Sequence, residues 1–136
     1  MPRSEHATGV IAYSPMASGI LTESFGQERV AAMDAGDWRR AARAFNEPDM
    51  GRNLSLRDAL RPIAKRHGTT VAAVAIAWVV AWPGVTAAIV GARSRQQVDG
   101  WIGAPNVELT AVDIEEIAAA VESTGAGEGP AYLRRA

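Results

Sequence analysis

The sequence predicts an α/β chain that contributes part of a parallel sheet. Two short apolar runs, Val10-Ile11-Ala12-Tyr13 and Val85-Thr86-Ala87-Ala88-Ile89-Val90, are bounded by Gly or Pro in the manner of strands buried on both faces. The stretch between them holds helical patterns, and a helix-bearing crossover joins parallel strands rather than a hairpin. Two parallel strands cannot cover themselves, so the pattern is that of an incomplete sheet.

Each element has its own justification. The first run is preceded by Gly9 and closed by Ser14-Pro15, and the small patch Gly19-Ile20-Leu21-Thr22 follows. Residues 27–45 form a mixed, weakly helical stretch with Trp38, Arg39, Arg40 and Arg43, and Phe45 to Gly51 reads as a loop. From Leu54 to His67 an amphipathic helix is predicted. Leu56, Leu60, Ile63 and Ala64 share one face, and Arg57, Arg61, Lys65 and Arg66 decorate the other. Pro62 is expected to kink or restart it, and Gly68 suits its C-terminal end.

Thr70 is placed to cap the next helix, Val71 to Trp82, which is apolar all round and therefore a core helix. Ser94 and Gln97 have the spacing of a capping box, so a helix is expected to start there. Thr110 and Asp113 repeat the spacing before a helix from Ala111 to Val121, with Val112, Ile114, Ile117, Ala118 and Val121 inward. The Gly-rich tail, residues 123–136, is expected to be flexible, and residues 1–136 otherwise form one partial domain.

Composition narrows the function. The chain has 136 residues, 14 Lys+Arg against 15 Asp+Glu, and a formal charge of −1. No excess of positive charge is available to neutralise phosphates, which argues against nucleic acid as a partner. No cysteine is present, excluding disulfides, thiolate metal sites and a cysteine nucleophile. His6 and His67 lie far apart and outside ligand-spaced motifs, so no metal site is expected. The uncharged stretch 71–92 is long enough to span a bilayer, but Pro83-Gly84 breaks it, and a buried helix, turn and strand is the reading. No secretory signal is evident near Met1, so the expected location is cytoplasmic.

Two strand ends carry candidate chemistry. At the first, Tyr13 followed by Ser14, Met16, Ser18 and Gly19 is suited to stack on a flat ring and to hydrogen-bond a diphosphate; the alternative is an ordinary buried Tyr and a Ser-Pro turn. At the second, Gly91-Ala92-Arg93-Ser94 leads into a helix N-terminus, where backbone N–H groups attract an anion and Arg93 adds a charge-assisted contact. There the alternative is an exposed Arg beside a normal cap. Asp113, Glu115 and Glu116 read as a solvated helix face, and His67 as a helix-end cation. The four Trp, at 38, 78, 82 and 101, read as packing. A helix-turn-helix reading of Leu60 to Trp82 fails, because Val71 to Ala77 offers no Arg, Asn or Gln to read bases.

Three segments in order resemble the C-terminal part of the aldo-keto reductases: Gly9-Val10-Ile11-Ala12-Tyr13-Ser14-Pro15-Met16-Ala17-Ser18-Gly19-Ile20-Leu21-Thr22, then His67 to Val79, then Val85 to Ser94. The resemblance implies the C-terminal portion of a (β/α)8 barrel of the TIM type, with the two strands as its seventh and eighth and the site at their carboxyl ends. It implies NADP(H) as cofactor and a small aldehyde or ketone as substrate. Tyr13 would stack on the nicotinamide, with Ser14, Met16 and Ser18 along the pyrophosphate. Gly91, Arg93, Ser94 and Gln97 would hold the 2′-phosphate end.

The chain departs from the family pattern at Glu23-Ser24, where many relatives carry Gly and a basic residue, and at Gly100-Trp101, where many carry Glu-Asn against the adenine. Both departures imply weaker cofactor contacts. The family's catalytic Asp, Tyr, Lys and His come from the first half of the barrel. Here the sole lysine is Lys65, on the polar face of a helix. The expectation is therefore a fragment, from a truncated or mis-started gene, that carries the cofactor-binding strand ends, lacks the proton donor, is inactive alone and by itself binds NADPH weakly or not at all. The alternative is a non-catalytic half-barrel module that pairs with a separately encoded N-terminal half.

Overall fold

The computed structural model describes residues 8–133. In chain order the elements are β1 (Val10–Tyr13), α1 (Gln27–Ala31), α2 (Asp49–Arg66), α3 (Val71–Ala81), β2 (Val85–Ile89), α4 (Arg95–Asp99) and α5 (Ala111–Thr124), with short 3-10 turns between them. β1 and β2 pair in parallel, with Ile11 beside Ala87 and Tyr13 beside Ile89 and an irregularity after Val10. The architecture is α/β, as the apolar runs and their helical connection require.

The all-apolar α3 is the centre of the packing because it has partners on opposite sides. Val71 and Val74 meet Leu60, Ile63 and Ala64 of α2 and Ile117 of α5. Ala73 and Ile76 meet Ala104, with Ala88, Val90 and Met16 packed alongside. Its N-terminus is capped as the sequence predicts: Thr70 Oγ1 accepts from the Ala73 N–H at 3.0 Å, and the same hydroxyl donates to the Gly100 carbonyl at 2.5 Å. Val71 N–H finds a partner far away in sequence, Glu23 Oε1 at 2.6 Å.

The strands are not buried on both faces, contrary to the sequence expectation. One side packs on α3 through Ala88 and Val90. On the other, Ile11, Tyr13 and Ile89 are exposed at 63%, 83% and 60%. Two strands make one layer, and no second layer among the described residues covers that face.

Helix α2 begins at Asp49 rather than Leu54, so the predicted loop is shorter. Pro48 occupies the N-cap position, and the Glu47 carboxylate accepts from the Gly51 N–H at 3.2 Å, satisfying donors that a helix start leaves orphaned. Pro62 neither ends nor restarts the helix; its ring lies on the exposed side. The arginines of α2 do more than solvate a face. Arg57 donates to the Phe25 carbonyl and Arg61 to the Glu23 carbonyl, fastening the segment after β1 to the helix.

Residues 27–45, read as a mixed and weakly helical stretch, carry one short helix, α1. After α1 the chain folds through 3-10 turns at Trp38–Arg40 and Arg43–Phe45 around a second core of Ile20, Phe25 and Phe45. In α5, Ile117 and Ala118 are buried, but Val112 is exposed, because the first turn is anchored instead by Asp113. Ser123 and Thr124, read as tail, form the last turn of α5, which ends in a left-handed Gly125. Ala126 and Ala131 are buried beyond it. The N-terminal residues 1–7, with His6, and residues 134–136 of the predicted tail lie outside the described residues.

Candidate functional site

At the carboxyl ends of the two strands the chain encloses a cleft of about 1050 Å³. Its walls include every residue that the two strand-end motifs single out: Tyr13, Ser14, Met16 and Ser18 from the first, Gly91, Arg93, Ser94 and Gln97 from the second. The parallel pairing of β1 and β2 puts their ends side by side, which is how motifs remote in sequence reach one cavity.

The first wall is a tight turn. Ser14, Ala17 and Ser18 have φ values of 55°, 49° and 55°, a left-handed backbone that costs L-residues about 1 kcal/mol or more apiece. Hydrogen bonds hold it there. The Ser14 hydroxyl accepts from the Ser18 N–H at 3.1 Å and lies 3.3 Å from the Ser18 hydroxyl, while the Met16 carbonyl accepts from the N–H groups of Gly19 and Leu21. The Tyr13 ring stands free in the cleft rather than buried, so the ordinary-core alternative for Tyr13 does not describe it.

The second wall differs from its expected form. Ser94 caps α4, its Oγ accepting from the Gln97 N–H at 3.3 Å, but α4 is five residues long and brings little dipole. Gln97 does not return its side chain to Ser94; its Oε1 accepts from the Arg93 N–H at 2.6 Å. Two of the N–H groups expected to face an anion are thus already bonded. What remains on this wall is the exposed Arg93 side chain, with the Ser94 hydroxyl and the Gly91 backbone lining the same cleft.

A third wall was not visible in sequence. Arg29, Trp38 and Arg39, from the region after β1, line the same cleft, as do Glu23 and Trp101. Asp37 caps the turn carrying Trp38: its carboxylate accepts from the Arg39 N–H at 3.0 Å and from the Arg39 guanidinium at 2.5 Å. The Arg39 side chain and then its N–H draw the Asp37 carboxyl down to about 2, and the charge of Arg93 adds to this. The only sequence signal for this wall was an Asp-Trp-Arg-Arg run outside any helical period.

Away from the cleft, Asp113 is buried, not solvated as its helix pattern suggested. Its carboxylate accepts from the Thr110 N–H and hydroxyl, each at 2.8 Å, and from Arg66 at 2.6 Å, and it pairs with His67 Nε2 at 2.8 Å. Burial opposes its charge, but the Thr110 N–H, His67, Arg66 and the Thr110 hydroxyl together hold the carboxyl well below the usual range. Glu116 shares Arg66 at 2.7 Å, and Glu115 is exposed as expected. The cluster ties the C-terminus of α2 to the start of α5 and is structural.

Among the described residues no lysine or histidine lines the cleft, and no group of three His, Cys, Asp or Glu is placed to hold a metal ion. No helix among them is long and apolar enough to cross a membrane. Lys65 is exposed on α2, and Tyr132 donates to Glu122 at 3.1 Å.

Fold and cleft define an α/β protein whose site lies outside the carboxyl ends of parallel strands, where open α/β sheets place their ligands. The Aldo/keto reductase family model matches residues 4–122, and the chain belongs to that family. Similar curated proteins include an uncharacterized oxidoreductase of Mycobacterium bovis, 37% identical over 102 residues, covering 75% of this chain and 30% of that protein. A probable voltage-gated potassium channel subunit beta of Arabidopsis thaliana is 29% identical over 125 residues, covering 88% and 37%. The structure of a glycerol dehydrogenase from Gluconobacter oxydans shares the fold with a TM-score of 0.78 at 23% identity, over 98% of this chain and 40% of that one. The chain spans about a third of the length of the curated relatives it matches.

Proposed function

We propose that this chain is the cofactor-binding part of an NADP(H)-dependent aldo-keto reductase, with β1 and β2 as the last two strands of a (β/α)8 barrel. The parent reaction is reduction of a small aldehyde or ketone to the alcohol, and the setting is cytoplasmic. The observation that carries this reading is the convergence of both strand-end motifs on one cleft.

The residues present fit the cofactor. An exposed Tyr13 ring is a stacking surface for the nicotinamide. Ser14, Met16 and Ser18 border a path for the pyrophosphate, with hydroxyls and a turn already ordered by their own hydrogen bonds. Arg93, with Gly91, Ser94 and Gln97, takes the 2′-phosphate, chiefly through the guanidinium since the Arg93 and Gln97 N–H groups are engaged. NADPH, when bound, supplies the hydride; the chain's residues bind and orient it. Among the described residues none is placed to give the carbonyl its proton, because no lysine or histidine among them adjoins Tyr13 in the cleft. The chain alone is therefore expected to bind NADPH weakly and to reduce no carbonyl compound. Titration of the purified chain with NADPH, followed by an assay of NADPH oxidation with small aldehydes, tests both halves. Robust turnover would overturn the reading.

A second reading is favoured by the uncovered face of β1 and β2. Ile11, Ala87 and Ile89 present apolar surface that an N-terminal half-barrel on a separate chain would cover. Co-expression with such a half-barrel is then expected to raise solubility and restore NADPH-dependent reduction. Absence of any rescue counts against it.

A further inference from the structure

We propose that Trp38 is a stacking wall for the adenine ring of a bound nucleotide whose phosphate lies on Arg93, an assignment that rests on the cleft being the NADP(H) site.

Trp38 is 63% exposed although it is large and apolar, and it faces the cleft that holds Arg93, Ser94 and Tyr13. Its exposure is not the exposure of a loose loop. The indole stands edge-on to Phe45, centroids 6.1 Å apart at 82°, and Phe45 is in the core. On either side in sequence, Asp37 and Arg39 are locked together by hydrogen bonds at 3.0 and 2.5 Å. A rigidly mounted aromatic face loses little freedom when a ring settles on it. Trp101, the other indole lining the cleft, is packed against Ala73, Ile76 and Ala104 and offers no comparable face.

The cleft thus presents two exposed aromatic side chains, Tyr13 and Trp38, with Arg93 also on its wall. That arrangement fits a ligand with two flat rings joined through phosphates. Tyr13 closes β1 and takes the nicotinamide in the proposed function, which leaves Trp38 as the exposed ring for the adenine.

The test uses the full chain and three probes, adenosine 2′,5′-bisphosphate, nicotinamide mononucleotide and inorganic phosphate, titrated to millimolar concentration by NMR. Trp38→Ala is expected to weaken adenosine 2′,5′-bisphosphate about tenfold, the usual effect of losing one base-stacking ring. It should leave the other two probes unchanged. Trp38→Phe should recover most of the affinity, whereas Trp38→Leu, which keeps an apolar contact on Phe45 without a ring, should not. Arg93→Ala reports on the site itself. If Arg93→Ala weakens the bisphosphate and Trp38→Ala and Trp38→Leu do not, the stacking role is overturned while the cleft assignment stands. If Trp38→Ala weakens nicotinamide mononucleotide instead, the adenine assignment is overturned. If the wild-type chain binds neither nucleotide, both readings fall.

Discussion

Glu23 Oε1 accepts the Val71 N–H at 2.6 Å, so a residue just after β1 caps the first turn of α3, 48 positions away. Glu23 thereby serves the fold. Its carboxylate sits against the positive end of the core helix, and its own carbonyl is held by Arg61.

Glu23→Ala is expected to destabilise the chain by about 1–2 kcal/mol, the cost of losing a charged cap and leaving one buried-end donor unmet. Glu23→Gln keeps an acceptor and should recover about half of that. Urea unfolding midpoints measure both. Equal stability of all three proteins would contradict the assignment.

Asp113 gives the chain an acid limb. Its folded-state carboxyl lies below the ordinary value of 3.8, so its contribution is complete above that value and fades as pH falls toward the folded one. Asp113→Asn removes the anion that Arg66 and His67 face and should cost about 2–3 kcal/mol near neutral pH. The same variant should lose less further stability between pH 5 and pH 3 than the wild type, at roughly one carboxylate's slope. Unfolding free energies measured across that interval decide it.

How much of this was readable in the sequence depends on the range of each interaction. Both strands, the core helix α3 and the Thr70, Ser94 and Thr110 caps follow from spacings of a few residues, and they stand where those spacings put them. Asp113 was misplaced because its helical period looks outward, while its partners Arg66 and His67 lie 47 and 46 residues back. Residues 27–45 gave only a mixed, weakly helical signal for a similar reason: Phe25 and Phe45 close a local core that no period describes. In the site, strand ends announced themselves through Tyr13 and Gly91. Trp38 and Arg39 did not, since a 3-10 turn has no amphipathic signature to place its side chains.

Backbone strain in the Ser14–Ser18 turn makes a conformational prediction. Ser18 has φ 55°, where a β-branched side chain is strongly disfavoured and glycine is free. Ser18→Val should be less stable than Ser18→Gly by about 1–2 kcal/mol. Comparing the two by chemical denaturation separates the backbone effect from loss of the hydroxyl, because both variants lack it.

The uncovered strand face predicts self-association. Ile89→Thr, alone or with Ile11→Thr, should raise the concentration at which the chain associates while changing stability by only about 0.5 kcal/mol, since neither side chain is buried. Sedimentation over a concentration series reports the first quantity and urea unfolding the second.

The measurement that bears most directly on the cleft is a residue-resolved NMR titration of the chain with NADPH. One binding curve should perturb the amides of Tyr13 to Ser18 and of Gly91 to Gln97 together, with a shared dissociation constant. Perturbation of only one segment, or of neither at millimolar cofactor, would contradict a single nucleotide site built from both strand ends.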